Sequence, residues 1–506
     1  QHIISNFQLD KTVSITLEVN PPGAGVVKIS TVVPQTLPWT GIYFHGNPVT
    51  LTAIPNPGYS FSNWSVNPYI VNTAGATFTS DVANNTTFTA NFNGSAQDIS
   101  LSVSEINYHS DPTRDAGDWF EIRNSGTTPL DISDFSVKDK DWFHRFDVPT
   151  GTAISPGGRL VFFENEGKFT TENPGLNAQA GPLPFKLDDG SDELHLFDRS
   201  GVEIASAAYT DDKPWPCTPD GSGRTLERTA ANTDPGLPGS WFDGCVGGSP
   251  GTEFSPCAEN PAITEINYKS AAAADAGDWF ELYNRQSSPL DLSGWQIRDS
   301  GDDNVFVVPA GTVLPSGGYR VFYQDEARFS AQFPGVINKT GPIGFGLSGD
   351  GDLIRLYDAN GRLQVSLCFN DAAPWPEAPD GGGYTLEIED INARMNDPLN
   401  WFAGCPGGSP GTAYDPGCAS TGAEAPAARP HTLRIFPNPA SGEIFVRTDQ
   451  TGGAQVRMFD VLGTTVLEQP ATGGITRLQT MDLPAGIYWI EVHSNDGRQM
   501  GKVVVQ

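Results

Sequence analysis

Glu105-Ile106-Asn107-Tyr108 returns 160 positions later as Glu265-Ile266-Asn267-Tyr268, and the offset then holds along the whole of both segments. Ala116-Gly117-Asp118-Trp119-Phe120-Glu121 recurs at 276–281, Pro129-Leu130-Asp131 at 289–291 and Pro214-Trp215-Pro216 at 374–376. Gly247-Gly248-Ser249-Pro250-Gly251-Thr252 recurs at 407–412. A constant offset means two tandem copies of one domain, since solenoid units run to only about 20 to 50 residues. Within each copy, short runs such as Arg159-Leu160-Val161-Phe162-Phe163 follow Gly/Pro turns such as Ser155-Pro156-Gly157-Gly158. That punctuation reads as a β-sandwich.

Outward from the repeats the β pattern continues. Ser14-Ile15-Thr16-Leu17-Glu18-Val19 and Thr86-Thr87-Phe88-Thr89-Ala90-Asn91-Phe92 alternate apolar and polar residues with period two. Only 164–170 and 324–333 suggest helix, one turn each, before Pro and Gly stop them. The chain of 506 residues carries 30 Lys plus Arg against 60 Asp plus Glu, a net charge of -30. Such acidity excludes a nucleic-acid backbone or an anionic lipid surface as an obvious partner. No run approaches the ~20 apolar residues of a membrane span. A chain opening on Gln1 is expected to be a processed or trimmed product. After Cys418 an Ala/Pro-rich stretch without periodicity reads as a linker.

At Asp278-Trp279-Phe280-Glu281-Leu282-Tyr283-Asn284, Leu290-Asp291-Leu292-Ser293-Gly294-Trp295 and Asp350-Gly351-Asp352-Leu353-Ile354-Arg355-Leu356-Tyr357-Asp358 the repeat resembles bacterial lamin-tail domains. That resemblance implies immunoglobulin-like sandwiches. Residues 1–94, with Gly58-Tyr59-Ser60-Phe61-Ser62-Asn63-Trp64, resemble a small β-rich repeat module of bacterial surface proteins. The tail holds Phe436-Pro437-Asn438-Pro439, Phe459-Asp460-Val461-Leu462-Gly463, Leu483-Pro484-Ala485-Gly486-Ile487-Tyr488-Trp489-Ile490 and Lys502-Val503-Val504-Val505. In order and spacing these resemble the type A C-terminal sorting domain of the type IX secretion system. The resemblance makes Pro437, Asn438, Pro439, Gly463, Gly486, Tyr488 and Lys502 the expected sorting signal, with Gly486 permitting a tight turn before a buried strand. The succession of modules also resembles the region downstream of the kinase-like domain in secreted CotH-family proteins of Bacteroidetes-type bacteria. The expected fold is therefore all-β: a small β module at 1–94, lamin-tail sandwiches at 98–257 and 260–418, a linker at 419–432, and a sorting domain at 433–506.

The cysteines at 245 and 257 correspond to those at 405 and 418 to within one residue. Two disulfides are expected, each closing about a dozen residues and worth on the order of 3 kcal/mol. Cys217 and Cys368 occupy positions that do not correspond, their counterparts being Glu377 and Ala208, and are expected to be unpaired. No CxxC pair or His cluster suggests zinc.

Gly247 to Gly251 matches the GxSxG pattern of a nucleophile elbow, but Pro250 lacks the N–H that an oxyanion hole needs, so the segment reads as a turn. His109, His144 and His195 have no His counterpart in the second copy and read as surface residues. Glu105 with Glu121, and Glu265 with Glu281, lie in predicted strands and could pair across a sheet, without a cleft to make them general acid and base. Asp299, Asp302 and Asp303 sit in an acidic loop that either turns the chain or offers oxygen ligands to calcium, the one cofactor considered. Trp142 has no aromatic counterpart, since Asp302 stands there, and is the expected exposed ligand-binding aromatic. With no phosphate loop and no catalytic residues assigned, the expected function is that of a non-catalytic cell-surface or secreted protein exported by type IX secretion. Its sandwiches would serve as spacers or adhesion modules. The implied partners are the translocon, outer-membrane shuttle and sortase components, and surface polysaccharide. The alternatives are the accessory region of a CotH-like kinase lying upstream, or a carbohydrate- or calcium-binding adhesin.

Overall fold

The computed structural model describes residues 11–67, 75–231, 233–372, 374–414, 433–436, 440, 443–448, 455–460, 464–471, 474–480, 483–494 and 497–505. They fall into two compact units, Gln1–Tyr414 and Asp415–Gln506. In the first unit, Thr12–Asn20 buries Val13, Ile15 and Leu17 and leaves the residues between them partly open, as the period-two pattern requires. It lies between Trp39–Phe44 and Thr86–Gly94 in a sheet completed by Tyr59–Asn67. Gly25–Ile29, Asn47–Pro55 and Thr77–Val82 form the facing sheet, and Trp64 fills the space between against Phe78.

Both repeats fold with one strand order. In the first, Gln179–Ala180, Arg159–Phe163, Trp119–Asn124, Leu101–Asn107, Arg224–Arg228 and Trp241–Val246 are successive neighbours in a six-stranded sheet. Phe146–Asp147, Ser136–Lys138, Ser191–Phe197 and Glu203–Thr210 form the opposing sheet. In the second, the six are Lys339–Thr340, Tyr319–Tyr323, Trp279–Tyr283, Ala262–Asn267, Tyr384–Ile388 and Trp401–Pro406. The opposing four are Val305–Val307, Gln296–Arg298, Asp352–Tyr357 and Leu363–Phe369. Matching ring pairs centre the cores, Phe120 with Phe162 at 4.9 Å and Phe280 with Phe322 at 5.5 Å. Each buried Phe contributes roughly 1.5–3 kcal/mol.

The two expected helical turns are real helices of seven residues, Glu166–Glu172 and Glu326–Gln332. Asn165 and Asp325 cap them by accepting from Lys168 and Arg328 N–H. Phe169 and Phe329 anchor them on Trp119 and Trp279, on the outer face of the six-stranded sheets.

Cys245 and Cys257 are joined. Cys405 is disulfide-bonded as well, while Cys418 lies outside the described residues. The expectation that Cys217 and Cys368 are unpaired is wrong: they are bonded to each other. Their lack of correspondence has a physical reason, because the bridge runs from one copy to the other and each copy supplies a different half. Around it, Arg224 is buried with Nε on Ser366 O and Oγ at 2.9 and 3.1 Å, and Nη2 on Glu259 at 2.6 Å. Tyr357 donates to Asp111 at 2.9 Å, and Leu363 N–H to Thr113 Oγ1 at 3.0 Å. Peptide mapping without reduction should recover the Cys217–Cys368 link, and Cys217→Ser with Cys368→Ser should cost on the order of 2–5 kcal/mol. Free thiols at both positions in exported protein would refute the bridge.

In the second unit, Arg434–Phe436, Glu443–Thr448 and Gly474–Gln479 face a sheet ordered Thr465–Pro470, Gln455–Phe459, Gly486–Ser494 and Gly497–Val505. Ile444, Val446, Met458, Tyr488, Ile490 and Val503 form its own core.

Candidate functional site

Register places three glutamates side by side in each six-stranded sheet. Glu105 lies opposite Glu121 on one neighbour and Glu227 on the other, and Glu265 lies likewise between Glu281 and Glu387. Like charges directly opposed in a sheet repel one another, and all six side chains are buried. The Gly-Gly-Ser-Pro-Gly-Thr loop closes over them and supplies donors. Ser249 N–H reaches Glu105 at 2.8 Å, Gly251 N–H reaches Glu121 at 2.6 Å, and the Ser249 hydroxyl bonds Glu227. In the second copy Ser409 N–H, Gly411 N–H and Ser409 Oγ make the same bonds to Glu265, Glu281 and Glu387 at 2.9, 2.6 and 2.8 Å.

The glycines of this loop are required sterically. A Cβ on Gly248 would lie 2.4 Å from Glu105 Oε1 and 3.0 Å from the Trp119 ring, and Gly408 repeats both approaches at Glu265 and Trp279. Both have positive φ, +77° and +88°. The serine of the GxSxG match is thus a hydrogen-bond donor to a buried carboxyl, and the missing N–H of Pro250 is consistent with a covering turn.

Burial pushes these groups up, Glu227 and Glu387 to about 7 against the pull of their serine and glutamate hydrogen bonds and Glu281 to about 8, while in Glu105 and Glu265 burial and then the neighbouring carboxylates drive the rise well above the carboxylate range. Burial also raises Glu121, opposed there by hydrogen bonds and by Arg159 at 3.0 Å. The second copy has Tyr319 in place of Arg159. Covered by its own loop, each trio is a buried, proton-holding core cluster, in which Glu265 Oε2 alone of the six residues' oxygens is left buried without a hydrogen-bond partner.

The exposed chemistry lies elsewhere. Trp142 follows the strand Ser136–Lys138 and folds back over the outer face of its sheet, its ring centred 5.3 Å from His195 and 5.7 Å from Phe197. Lys138 Nζ stands 5.0 Å from the Trp142 ring centre and donates to Trp142 O at 3.0 Å. His195 is bracketed by Glu203 at 2.9 Å and Glu193 at 3.2 Å. His144 sits on Asp139 at 2.7 Å and His109 on Asp220 at 2.6 Å.

Asp299, Asp302 and Asp303 do not converge on one point. Asp299 accepts from Gly301 N–H at 2.7 Å and Asn304 Nδ2 at 2.8 Å, while Asp302 pairs with Arg355 at 3.0 Å. Among the described residues no group of three or more His, Cys, Asp or Glu is arranged to hold a metal. The loop is an aspartate-capped turn, the simpler of the two readings.

Of the sorting residues, Tyr488 is buried and donates to Pro484 O at 2.7 Å, and Lys502 lies opposite Trp489 in the last strand pair. Gly486 opens its strand without a left-handed φ, and a Cβ there would meet nothing nearer than 3.8 Å. The tight-turn role expected of it is therefore not what the backbone uses. Pro437, Asn438, Pro439 and Gly463 lie outside the described residues.

The chain matches the family models described as Lamin Tail Domain at residues 94–211 and 256–369, Secretion system C-terminal sorting domain at 434–506, and Divergent InlB B-repeat domain at 15–96. None of these three is a CotH-type kinase domain. No curated protein matches the chain. Solved structures similar to it include a DUF4876 family protein from Bacteroides thetaiotaomicron, at 10% identity over 47% of this chain and 93% of that one, with a TM-score of 0.20. Another is PorZ, a surface component of the type-IX secretion system of Porphyromonas gingivalis, at 10% identity over 80% and 51%, with a TM-score of 0.15. A third is a Ca2+-stabilized adhesin with which an Antarctic bacterium binds ice, at 11% identity over 98% and 100%, with a TM-score of 0.15.

Proposed function

We propose that this chain, which carries two lamin-tail domains and a type IX secretion C-terminal sorting domain and is thereby exported to the cell surface or the extracellular space, is a non-catalytic adhesion and spacer protein. The sorting domain is the address, read by the translocon and the outer-membrane components that follow it. The observation that carries the spacer role is the junction between the sandwiches, where a disulfide and a buried arginine hold the two copies together. The adhesive role rests on the exposed aromatic tip of the first copy, which the second copy lacks.

Cells displaying the chain are expected to adhere to a polysaccharide-coated surface. They should lose that adhesion when residues 98–414 are exchanged for two unrelated sandwiches of equal size. Unchanged adhesion would count against the adhesive reading, and new reducing ends in the coating would overturn the non-catalytic one.

A further inference from the structure

The loop that bears Trp142 is built twice on one frame. In the first copy Asp139 accepts from Asp141 N–H at 2.8 Å and contacts His144, and Asp192 accepts from Lys140 N–H at 3.1 Å. In the second, Asp299 holds Gly301 and Asn304, and Asp352 accepts from Ser300 N–H, again at 3.1 Å. Only the displayed side chains differ. Trp142 and His195 of the first copy stand where the second has Asp302 and Arg355, so a tilted aromatic pair replaces an ion pair at one place on the same frame. The frame folds without the aromatic tip, and a packing role therefore does not account for Trp142.

Trp142 is 56% exposed and its neighbour Phe143 is 96% exposed. The indole is nevertheless held, by His195 and Phe197 against the ring and by Lys138 at its own carbonyl. A fixed, open aromatic face loses little conformational freedom on binding. Hydrogen-bonding groups of both kinds stand beside it, the Lys138 ammonium over the ring and the partly exposed carboxylates Glu193 and Glu203 around His195. An apolar platform with polar groups beside it suits a ring with one face of C–H groups and an edge of hydroxyls. The net charge of -30 disfavours an acidic ligand and favours a neutral or cationic one.

We propose that the Trp142 tip of the first sandwich binds a pyranose ring of a neutral or amino-sugar polysaccharide, stacked on the open face of the indole and held at its edge by Glu193, Glu203 and Lys138. The inference rests on the adhesive reading above and names its ligand class. The test is direct binding of the purified full chain to chitohexaose, chitosan hexamer, xylohexaose and polygalacturonate. The wild type should bind at least one of the first three in preference to polygalacturonate. Trp142→Ala, and the exchange Trp142→Asp with His195→Arg that copies the second sandwich, should lose about tenfold in affinity or more at an unchanged melting temperature. Preference for polygalacturonate, or binding of oligolysine through Trp142 with no sugar bound, would overturn the proposal. Sugar binding that survives both variants sinks this site and leaves the adhesive reading standing. Failure of the full chain to bind any of the four sugars overturns the proposal, and if cells displaying the unaltered chain also fail to adhere to the polysaccharide coating, the adhesive reading falls with it.

Discussion

Cells producing the chain truncated after Cys418 should retain a folded protein in the periplasm, and a passenger fused to residues 419–506 should leave the cell. The effect is expected to be close to all-or-none, because the two parts are separate compact units. The tail closes its own core around Tyr488, Ile490 and Val503, and the sandwiches build theirs from their own residues. The tail is also the part that matches a secretion sorting domain, from residue 434 to 506. A point variant makes the same case with less disruption. Val503→Asp puts a charge into that core, where an unpaired buried charge is strongly destabilising, and should abolish export while leaving the melting of the sandwiches unchanged. Efficient delivery of the truncated chain to the medium would end the reading of the tail as an address.

Thermal stability is expected to fall as pH rises from about 5 to about 8.5, opposite to the usual behaviour of an acidic protein with salt-bridged carboxylates. The six trio glutamates have folded values raised above the unfolded value near 4.3, so the proton bound in the native state stabilises it. That contribution is complete below about pH 4 and disappears as pH climbs through about 7 to 8, where Glu227, Glu387 and Glu281 lose their protons. Asp118 and Asp278, raised by burial to about 7 and about 6, add in the same direction. Carboxylates shifted the other way, Asp188 and Glu326, are held down near 2 by lysine hydrogen bonds and respond only below the chosen window.

At about 1.4 kcal/mol per pH unit per proton, the loss amounts to several kcal/mol, and it should be larger in the second sandwich, where Tyr319 stands in place of Arg159. Glu387→Gln keeps a donor and an acceptor in place and removes one group that loses its proton within this window. It should flatten the profile and raise the melting temperature at pH 8. Calorimetry across the range decides the matter, and a melting temperature that climbs with pH would contradict this account.

The sequence carried the fold in its repeats because a sandwich repeats its landmarks wherever strands and turns must fall. Pro, Gly and the paired aromatics kept one offset, and the strand orders are the same. Glu105 and Glu121 were legible as a cross-strand pair. Glu227 was not, because its strand joins the sheet from more than a hundred residues away and nothing local announces the neighbour. The Gly247 to Thr252 loop was legible as a turn, but not as the donor set for three carboxyls, since backbone N–H groups leave no mark on composition. The Cys217–Cys368 bridge escaped for the opposite reason: comparison of the copies rewards symmetry, and a bond between unlike ends of two copies breaks it. Trp142 stood out by the same break in symmetry, read there as a difference in what the two loops display.

The bridge between the copies also sets how the chain answers a pull. Tension entering before Cys217 and leaving after Cys368 passes through one covalent bond, so the intervening stretch, a separation of 151 residues, lies outside the load path. Unravelled, that stretch would lengthen the molecule by roughly 500 Å at about 3.3–3.6 Å per residue. Held out of the line of force, it stays slack, and a tether built this way yields far less under shear than its contour length allows.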